Sequence, residues 1–241
     1  MIIYGINAVT EALRAGRVRR VSIGPRGDKR TDEAVALAGA AGIAIERVDA
    51  QVLERLARGG VHQGIVADLA PIRDYSVQEL VAGAAPDPPL LVVLDGVEDP
   101  HNVGAITRTV DAAGGHGVIR QARHAAALGG AAVKASSGAI AVVRFATVVN
   151  IARALDELKE AGVWTIGFAG EAADRYDVVD FTLPSAIVVG SEGDGLRRLT
   201  RDRCDRLVRI PMGGSVESLN VSVAAGVALF EAARQRRVKV T

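Results

Sequence analysis

The chain has 241 residues, of which 49% are hydrophobic and 3% aromatic, and its formal net charge at pH 7 is +1. This length allows one large domain or two small ones, and the near-neutral charge provides no global basic field that would by itself indicate a nucleic-acid partner. No apolar run approaches the roughly 20 residues that a membrane-spanning helix needs, and the first residues lack the pattern of a secretory signal. The single cysteine, Cys204, cannot form an intrachain disulfide, so we expect a cytoplasmic protein without a membrane partner.

The first 74 residues alternate short helical and extended patterns, which predict a small α/β domain over 1–74 with its own core. The helical patterns cover 7–16, 31–42 and 50–60, and the strand patterns cover 18–24, 43–49 and 64–70. Three prolines, Pro86, Pro88 and Pro89, then interrupt regular structure. We therefore expect a linker over 75–89.

Stronger patterns follow the linker and predict a second domain over 90–241. The strand patterns cover 90–96, 117–121, 141–148, 163–169, 186–192 and 206–212, and the helical patterns cover 103–114, 150–162 and 220–237. Strands that alternate with helices indicate a mostly parallel sheet. The predicted fold class is therefore α/β, with a small N-terminal domain and a larger, mostly parallel C-terminal sheet.

Positive charge is concentrated in three segments. Residues 14–30 contain seven basic residues and one acid, residues 197–209 contain six arginines and two aspartates, and residues 234–239 contain four basic residues. The arginine fork suits phosphate better than the ammonium of lysine does. A solvated surface explains each segment taken alone, whereas together they point to nucleic-acid contact. The candidate residues for contact with RNA or DNA are Arg17, Arg19 and Arg20.

Three loops rich in glycine and small polar residues follow predicted strands, at 96–102, 190–195 and 211–220. Loops at the carboxyl ends of parallel strands form the ligand-binding edge of α/β sheets. Three such loops in one chain predict one shared pocket. The acidic residues of the second loop, Glu192 and Asp194, would repel phosphate, which favours a ligand with hydroxyl groups or positive charge.

Several polar residues in and near these loops have both a structural and a functional interpretation. Asn102 either caps the helix that follows or belongs to the site, and the same alternative holds for Asn220. Arg108 lies nearly two turns into its helix, where it is either an exposed surface residue or leans back towards the pocket mouth. Asp95, at a strand end, could orient its loop or bind a ligand hydroxyl.

Several common site patterns are absent from the sequence. There is no phosphate-binding Gly-x-x-x-x-Gly-Lys motif, and no Gly-x-Gly-x-x-Gly follows a predicted strand. The four histidines lack metal-ligand spacing, and no serine has the context of a hydrolase nucleophile. These absences disfavour a P-loop enzyme, an ordinary Rossmann enzyme, a metalloenzyme and a serine hydrolase.

The three loops, in order, resemble the motifs of the SpoU-type RNA ribose 2′-O-methyltransferases, the TrmH family of the SPOUT superfamily. The matching segments are DPHNVGAITRT, VVGSEGDGL and IPMGGSVESLNVSVAAG, and the resemblance spans residues 90–237. The N-terminal segments YGINAVTEAL and VHQGIVA are similar to the substrate-binding domain of the bacterial 23S rRNA guanosine 2′-O-methyltransferase branch. That domain is similar to a ribosomal-protein fold that binds RNA.

The resemblance implies features that no periodicity argument could supply. It implies a deep trefoil knot in the C-terminal domain, a homodimer with the site near its interface, and S-adenosyl-L-methionine bound in a bent form without any metal. The implied donor-binding residues are Gly190, Ile210 and Leu219. The implied catalytic residues are Asn102, Arg108, Glu192, Ser218 and Asn220.

The implied function is S-adenosylmethionine-dependent 2′-O-methylation of a guanosine in 23S rRNA, with the rRNA or its precursor particle as partner and no DNA. One alternative is the same reaction on tRNA or on another rRNA nucleotide, including resistance-type adenosine methylation. The separate N-terminal domain disfavours the tRNA branch. Another alternative is a non-catalytic RNA-binding factor with the same fold, which the complete motif residues disfavour.

Overall fold

The computed structural model describes residues 2–25, 29–126, 128–129 and 131–238. Its first part is a four-stranded sheet with helices. The elements are β1 (Ile2–Tyr4), α1 (Ile6–Arg14), β2 (Val18–Ile23), α2 (Lys29–Ala40), β3 (Ala44–Arg47), α3 (Ala50–Ala57) and β4 (Ile65–Leu69). The strand order is β1-β4-β2-β3, and β4 is antiparallel to both of its neighbours. The sequence did not predict β1, because three residues carry too little periodicity.

The second part is a seven-stranded sheet of order β7-β6-β5-β10-β8-β11-β9, in which every strand pair is parallel. The strands are β5 (Leu90–Asp95), β6 (Gly117–Gln121), β7 (Phe145–Val148), β8 (Trp164–Phe168), β9 (Asp174–Arg175), β10 (Ser185–Gly190) and β11 (Arg206–Arg209). The helices are α4 (Val77–Ala82), α5 (Pro100–Ala112), α6 (Ala131–Ala135), α7 (Ile151–Glu160), α8 (Arg198–Arg203) and α9 (Val221–Val238). Short 3-10 helices cover Ala139–Ala141 and Tyr176–Val178. The predicted α/β class with a mostly parallel sheet is confirmed.

The two central strands explain why this sheet forms. Every residue of β5 and of β10 is buried, as expected for parallel strands that are covered by helices on both faces. Alternate residues of β5 face different cores. Leu90, Val92 and Leu94 pack with α5 and α9, whereas Leu91 and Val93 pack with α4 and α7. The polar loops at the carboxyl ends of β5 and β10 are therefore supported by two packed layers.

The segment expected to be a linker, 75–89, contains a short helix. Helix α4 begins with a capping box, in which the Ser76 hydroxyl accepts the Glu79 backbone N–H at 3.1 Å and the Glu79 carboxylate accepts the Ser76 N–H at 2.8 Å. Such reciprocal bonds satisfy two free backbone donors of a helix start. The proline-containing remainder, 83–89, forms neither helix nor strand.

One arginine joins the end of the chain to the start of the large sheet. The Arg236 guanidinium, near the end of α9, donates to the carbonyls of Pro88 at 2.5 Å, Pro89 at 2.9 Å, Phe181 at 2.9 Å and Leu183 at 3.2 Å. Burial lowers the pKa of this guanidinium. The last helix, the segment before β5 and the segment before β10 are thereby held together.

Two of the boundaries that differ from the sequence prediction have a clear physical reason. Helix α5 begins at Pro100 rather than at residue 103, because proline suits the first helical position and the Asp99 carboxylate caps the helix by accepting the His101 N–H at 2.8 Å. The strand predicted over 141–148 begins only at Phe145, and a buried 3-10 turn precedes it. A short apolar run does not distinguish a strand from another buried segment.

Candidate active site

The loops that follow β5, β10 and β11 meet at the carboxyl edge of the large sheet. Strands β5 and β10 are neighbours, and β11 is separated from β10 only by β8. The first loop leads into α5, the second folds back on itself, and the third leads into α9. One polar side chain from each loop points to a common centre, formed by Asn102, Glu192 and Asn220.

These three side chains form a closed hydrogen-bond cluster. The Asn102 Nδ2 donates to Glu192 Oε1 at 3.0 Å, and the Asn220 Nδ2 donates to Asn102 Oδ1 at 3.0 Å and also to Glu192 Oε1. Asn102 is buried, and bonds to an ionised carboxylate are stronger than neutral ones. The cluster therefore fixes the relative position of three loops that are distant in sequence.

Each asparagine has a clear structural setting. Asn102 is not the helix cap, since Asp99 takes that position, so its amide is free for the cluster. Asn220 serves both purposes, because its Oδ1 accepts the backbone N–H of Ser222 at 2.9 Å at the start of α9 while its amide nitrogen bonds the cluster. Asn220 therefore occupies the cap position, as one interpretation expected, and its membership of a catalytic site stays a prediction.

The loop that carries Glu192 depends on glycine. Ser191 and Gly195 exchange two backbone hydrogen bonds of 3.1 Å, which folds the loop into a tight turn. A Cβ atom at Gly190 would collide with the backbone of Gly195 and Leu196. Only glycine permits this close approach, so Gly190 sets the position of Glu192.

An ion pair between a buried carboxylate and a half-exposed arginine also supports this loop. Asp95, at the end of β5, is fully buried, with 0% of its surface exposed. Its carboxylate accepts the Arg197 backbone N–H at 2.9 Å and the Arg197 Nε at 2.7 Å, and the Arg197 Nη2 as well. Asp95 therefore orients a loop, the first of the two roles considered for it, and Arg197 is a supporting residue that the sequence analysis missed.

A cavity of about 490 Å³ opens beside the cluster, which is within the range of small-ligand pockets, roughly 300–1,000 Å³. Apolar side chains of β8, β10 and β11 line it, together with the loops that follow these three strands. Six of the predicted catalytic and donor-binding residues lie in its wall: Gly190, Glu192, Ile210, Ser218, Leu219 and Asn220. The rim also carries an ion pair between Glu171 and Arg201, neither of which the sequence indicated.

Arg108 is not part of the cluster within one chain. It is exposed on α5, makes no hydrogen bond or ion pair to any described residue, and lines neither this cavity nor its neighbours. Its neighbour Thr109 faces Gly226 of α9. Ser218 is likewise exposed, although it lies in the cavity wall.

The three candidate RNA-binding arginines lie on the small sheet. Arg19 and Arg20 are exposed on β2, at an irregularity in its pairing with β4. Arg20 approaches Glu46 at 3.7 Å, and such exposed pairs are weak. The Arg17 guanidinium already has one hydrogen-bond partner, since its Nη2 donates to the carbonyl of Pro71 at 3.1 Å.

Among the residues that the structure describes, the remaining chemistry-bearing groups do not form a second reactive centre. Burial raises the pKa of the Cys204 thiol to about 12, which makes it a poor nucleophile at neutral pH. In the described part of the chain, no group of three or more His, Cys, Asp or Glu side chains could hold a metal ion. In the same ranges, no helix has the length and apolar character to cross a bilayer.

Comparison with known protein families identifies the class. Residues 89–230 match the SpoU rRNA Methylase family, and residues 2–75 match the family of RNA 2′-O ribose methyltransferase substrate-binding domains. The chain belongs to the SpoU rRNA methylase family and is an RNA 2′-O-ribose methyltransferase. The predicted family is confirmed.

Two relatives and one solved structure are similar to this chain over nearly its whole length. The chain is 46% identical over 242 residues to the 23S rRNA (guanosine-2′-O-)-methyltransferase RlmB of Pseudomonas syringae, covering 98% of this chain and 96% of the relative. It is 47% identical to the RlmB of Yersinia pestis, covering 99% and 98%. Among solved structures, it is similar to the SpoU methyltransferase AviRb of Streptomyces viridochromogenes in complex with the cofactor AdoMet, with a TM-score of 0.82, 27% identity and coverage of 98% and 90%.

Proposed function

We propose that this enzyme transfers a methyl group from S-adenosylmethionine to the ribose 2′-oxygen of a guanosine in 23S rRNA, in the cytoplasm. Relatives named for this reaction are 42–47% identical over nearly the whole chain. The observation in the structure that carries the proposal is the cluster of Asn102, Glu192 and Asn220 in and beside the wall of a cavity large enough for a small ligand.

The chemistry of the cavity fits the donor. Apolar side chains such as Ile210 and Leu219 suit a purine ring, and the backbone around Gly190 offers polar groups for its edges. The carboxylates of Glu192 and Asp194 suit a ligand of positive charge. Bound there, the donor would supply a methyl group on a sulfonium, which becomes a neutral thioether on transfer.

The protein must then position the ribose hydroxyl and stabilise the charge that develops on its oxygen. The cluster would hold the loops rigidly around the acceptor, and good alignment of reactants can contribute roughly 7–11 kcal/mol. Ser218 would contact the ribose from the cavity wall. Arg108 would bind the adjacent phosphate and the developing alkoxide. It is not assigned as the base, because a guanidinium stays protonated.

Arg108 can act only if another surface brings it to the cluster, and a homodimer supplies one. Val223 and Phe230, on the outer face of α9, are 50% and 47% exposed, and they lie on either side of Gly226, which faces Thr109 of α5. Pairing of two copies through this apolar face would bury these side chains. We propose that it also brings Arg108 of one copy to the cluster of the other. The trefoil knot stays a prediction.

The small domain would hold the RNA. We propose domain boundaries of 1–74, 75–89 and 90–241, and assign Arg17, Arg19 and Arg20 to phosphate contacts. The description of the matched domain as substrate-binding and the exposure of Arg19 and Arg20 support this assignment. Phosphate contacts position an RNA without reading its sequence.

The test uses tritiated S-adenosylmethionine and unmodified 23S rRNA, with total tRNA as the competing substrate. We expect incorporation into 23S rRNA at a guanosine. Arg108→Ala should abolish transfer while calorimetry shows donor binding within a few-fold of the unmodified enzyme. Arg153→Ala, a change of an exposed arginine on α7, is the matched control. Labelling of tRNA, labelling of an adenosine, or equal loss of donor binding in Arg108→Ala would each contradict the corresponding part of the proposal.

A further inference from the structure

A second cavity, of about 530 Å³, lies on the other side of the loop that carries Glu192. It shares four wall residues with the donor cavity: Ser191, Glu192, Asp194 and Val221. Asn102, which lies outside the donor cavity, lines this second one. The cluster therefore separates two cavities, as a methyl-transfer centre between donor and acceptor requires.

The second cavity has an acidic lining. Its carboxylates are those of Asp95, Glu98, Asp99, Glu192 and Asp194. Only Asp95 is neutralised by a guanidinium, that of Arg197, among the residues that the structure describes. A phosphate would be repelled here. A group that presents several N–H donors would be attracted, so this cavity suits a nucleobase better than the RNA backbone.

Gln121 supplies an independent indication of a ligand. It stands at the end of β6, is 8% exposed, and lines this cavity. Among the described residues its Oε1 has no hydrogen-bond partner. A buried polar atom without a partner is destabilising, and such groups in a native structure call for an explanation. A ligand N–H would satisfy it.

Glu98 is placed at the mouth of the same cavity. Its Oε1 lies 3.4 Å from Nδ1 of His124, and both residues line this cavity. His124 has a φ of 51°, a conformation that residues other than glycine adopt at a cost and that clusters at functional sites. The loop after β6 thus keeps an imidazole next to the Glu98 carboxylate.

We propose that this cavity binds the guanine base of the acceptor nucleotide, with Glu98 and Gln121 as its specificity-determining residues; the inference rests on the proposed function. Guanine alone among the four bases presents two adjacent donors, N1–H and N2–H, on one edge, and a carboxylate such as Glu98 accepts both. Adenine presents an acceptor, N1, at the same place. The Gln121 Oε1 accepts the second N–H of the guanine 2-amino group, which satisfies the atom that has no partner among the described residues.

The first test compares RNA that carries guanosine at the methylated position with RNA that carries inosine, which lacks the 2-amino group. With the unmodified enzyme, kcat/KM should fall about tenfold or more on going from guanosine to inosine, as expected for removal of a hydrogen bond to a charged group. In Glu98→Gln this ratio should fall towards one, because the hydrogen bond between the 2-amino group and a charged carboxylate is then already lost. An unchanged ratio would overturn the role of Glu98. Glu160→Gln, on the exposed end of α7, is the control.

The second test uses Gln121→Met, which conserves shape and removes the amide. If the amide serves a ligand, this variant should unfold at the same or a higher temperature, bind the donor unchanged, and lose about tenfold or more in kcat/KM for RNA. A merely structural amide would give lower stability with unchanged kcat/KM, which would overturn the proposal. Absence of methyl transfer by the unmodified enzyme would instead refute the proposed function, so the two failures are distinguishable.

Discussion

The buried pair of Asp95 and Arg197 yields a quantitative prediction. Arg197→Met removes the guanidinium and leaves the Asp95 carboxylate, fully buried, with only the backbone N–H of residue 197. Breaking a buried pair in this way costs about 3–5 kcal/mol. Because the Arg197 side chain is 48% exposed, water can replace part of what the guanidinium supplied, so we expect about 3 kcal/mol. For a chain of this size, that corresponds to a fall in Tm of about 6–12 °C.

Substitution of the other partner, Asp95, should lower the free energy of unfolding by less. Asp95→Asn keeps the shape and an acceptor oxygen but removes the buried charge, and Arg197 can turn to solvent, so we expect a cost of about 1–2 kcal/mol. The double variant should resemble Asp95→Asn, because no buried charge then remains to be neutralised. Thermal unfolding of the four proteins, followed by circular dichroism, measures the cycle. Simple additivity of the two single changes, or an Arg197→Met variant as stable as the unmodified protein, would refute the reasoning.

Three further predictions concern other parts of the molecule. Changing Arg17, Arg19 and Arg20 together to glutamine should weaken 23S rRNA binding and reduce the slope of log K against log salt by about 0.7–0.9 for each phosphate that is no longer neutralised. An unchanged slope in filter binding would show that these arginines do not contact RNA phosphates. Phe230→Glu should convert a dimer to monomers in analytical ultracentrifugation, because it places a charge in the exposed apolar face of α9; a variant that remains dimeric would exclude this face. Burial lowers the pKa of the His116 imidazole, whose Nδ1 accepts a backbone N–H at the start of β5. The unfolded chain therefore takes up this proton first, and Tm should fall as pH drops below about 6.5. His116→Asn should show a flatter profile between about pH 7.5 and about pH 5, on either side of the ordinary histidine pKa, and equal slopes would contradict this account.

The strands of the large sheet could be predicted because their sequences are simple. LLVVLD and AIVVG are continuous apolar runs followed by glycine and polar residues, a pattern typical of buried parallel strands. The contacts between their loops could not be predicted in this way. Asn102 and Glu192 are 90 residues apart, and Asp95 and Arg197 are 102 apart, so only the folded sheet brings them together.

Arg108 shows where sequence reasoning was incomplete. It follows Asn102 by six positions on α5, which corresponds to a rotation of about 120° away from it around the helix axis. The backward lean of helical side chains does not compensate for such a rotation. A residue on that face points away from the pocket of its own chain, which is why the role proposed for Arg108 rests on a second copy.

The four carbonyls bound by Arg236 have a practical consequence for how this enzyme can be engineered. A tag appended to the C-terminus leaves that guanidinium in place, whereas a truncation that ends the chain before residue 236 deletes it. The carbonyls that precede β5 and β10 would then all lose the same hydrogen-bond donor. Shortened versions of the protein should therefore keep every residue up to Arg237.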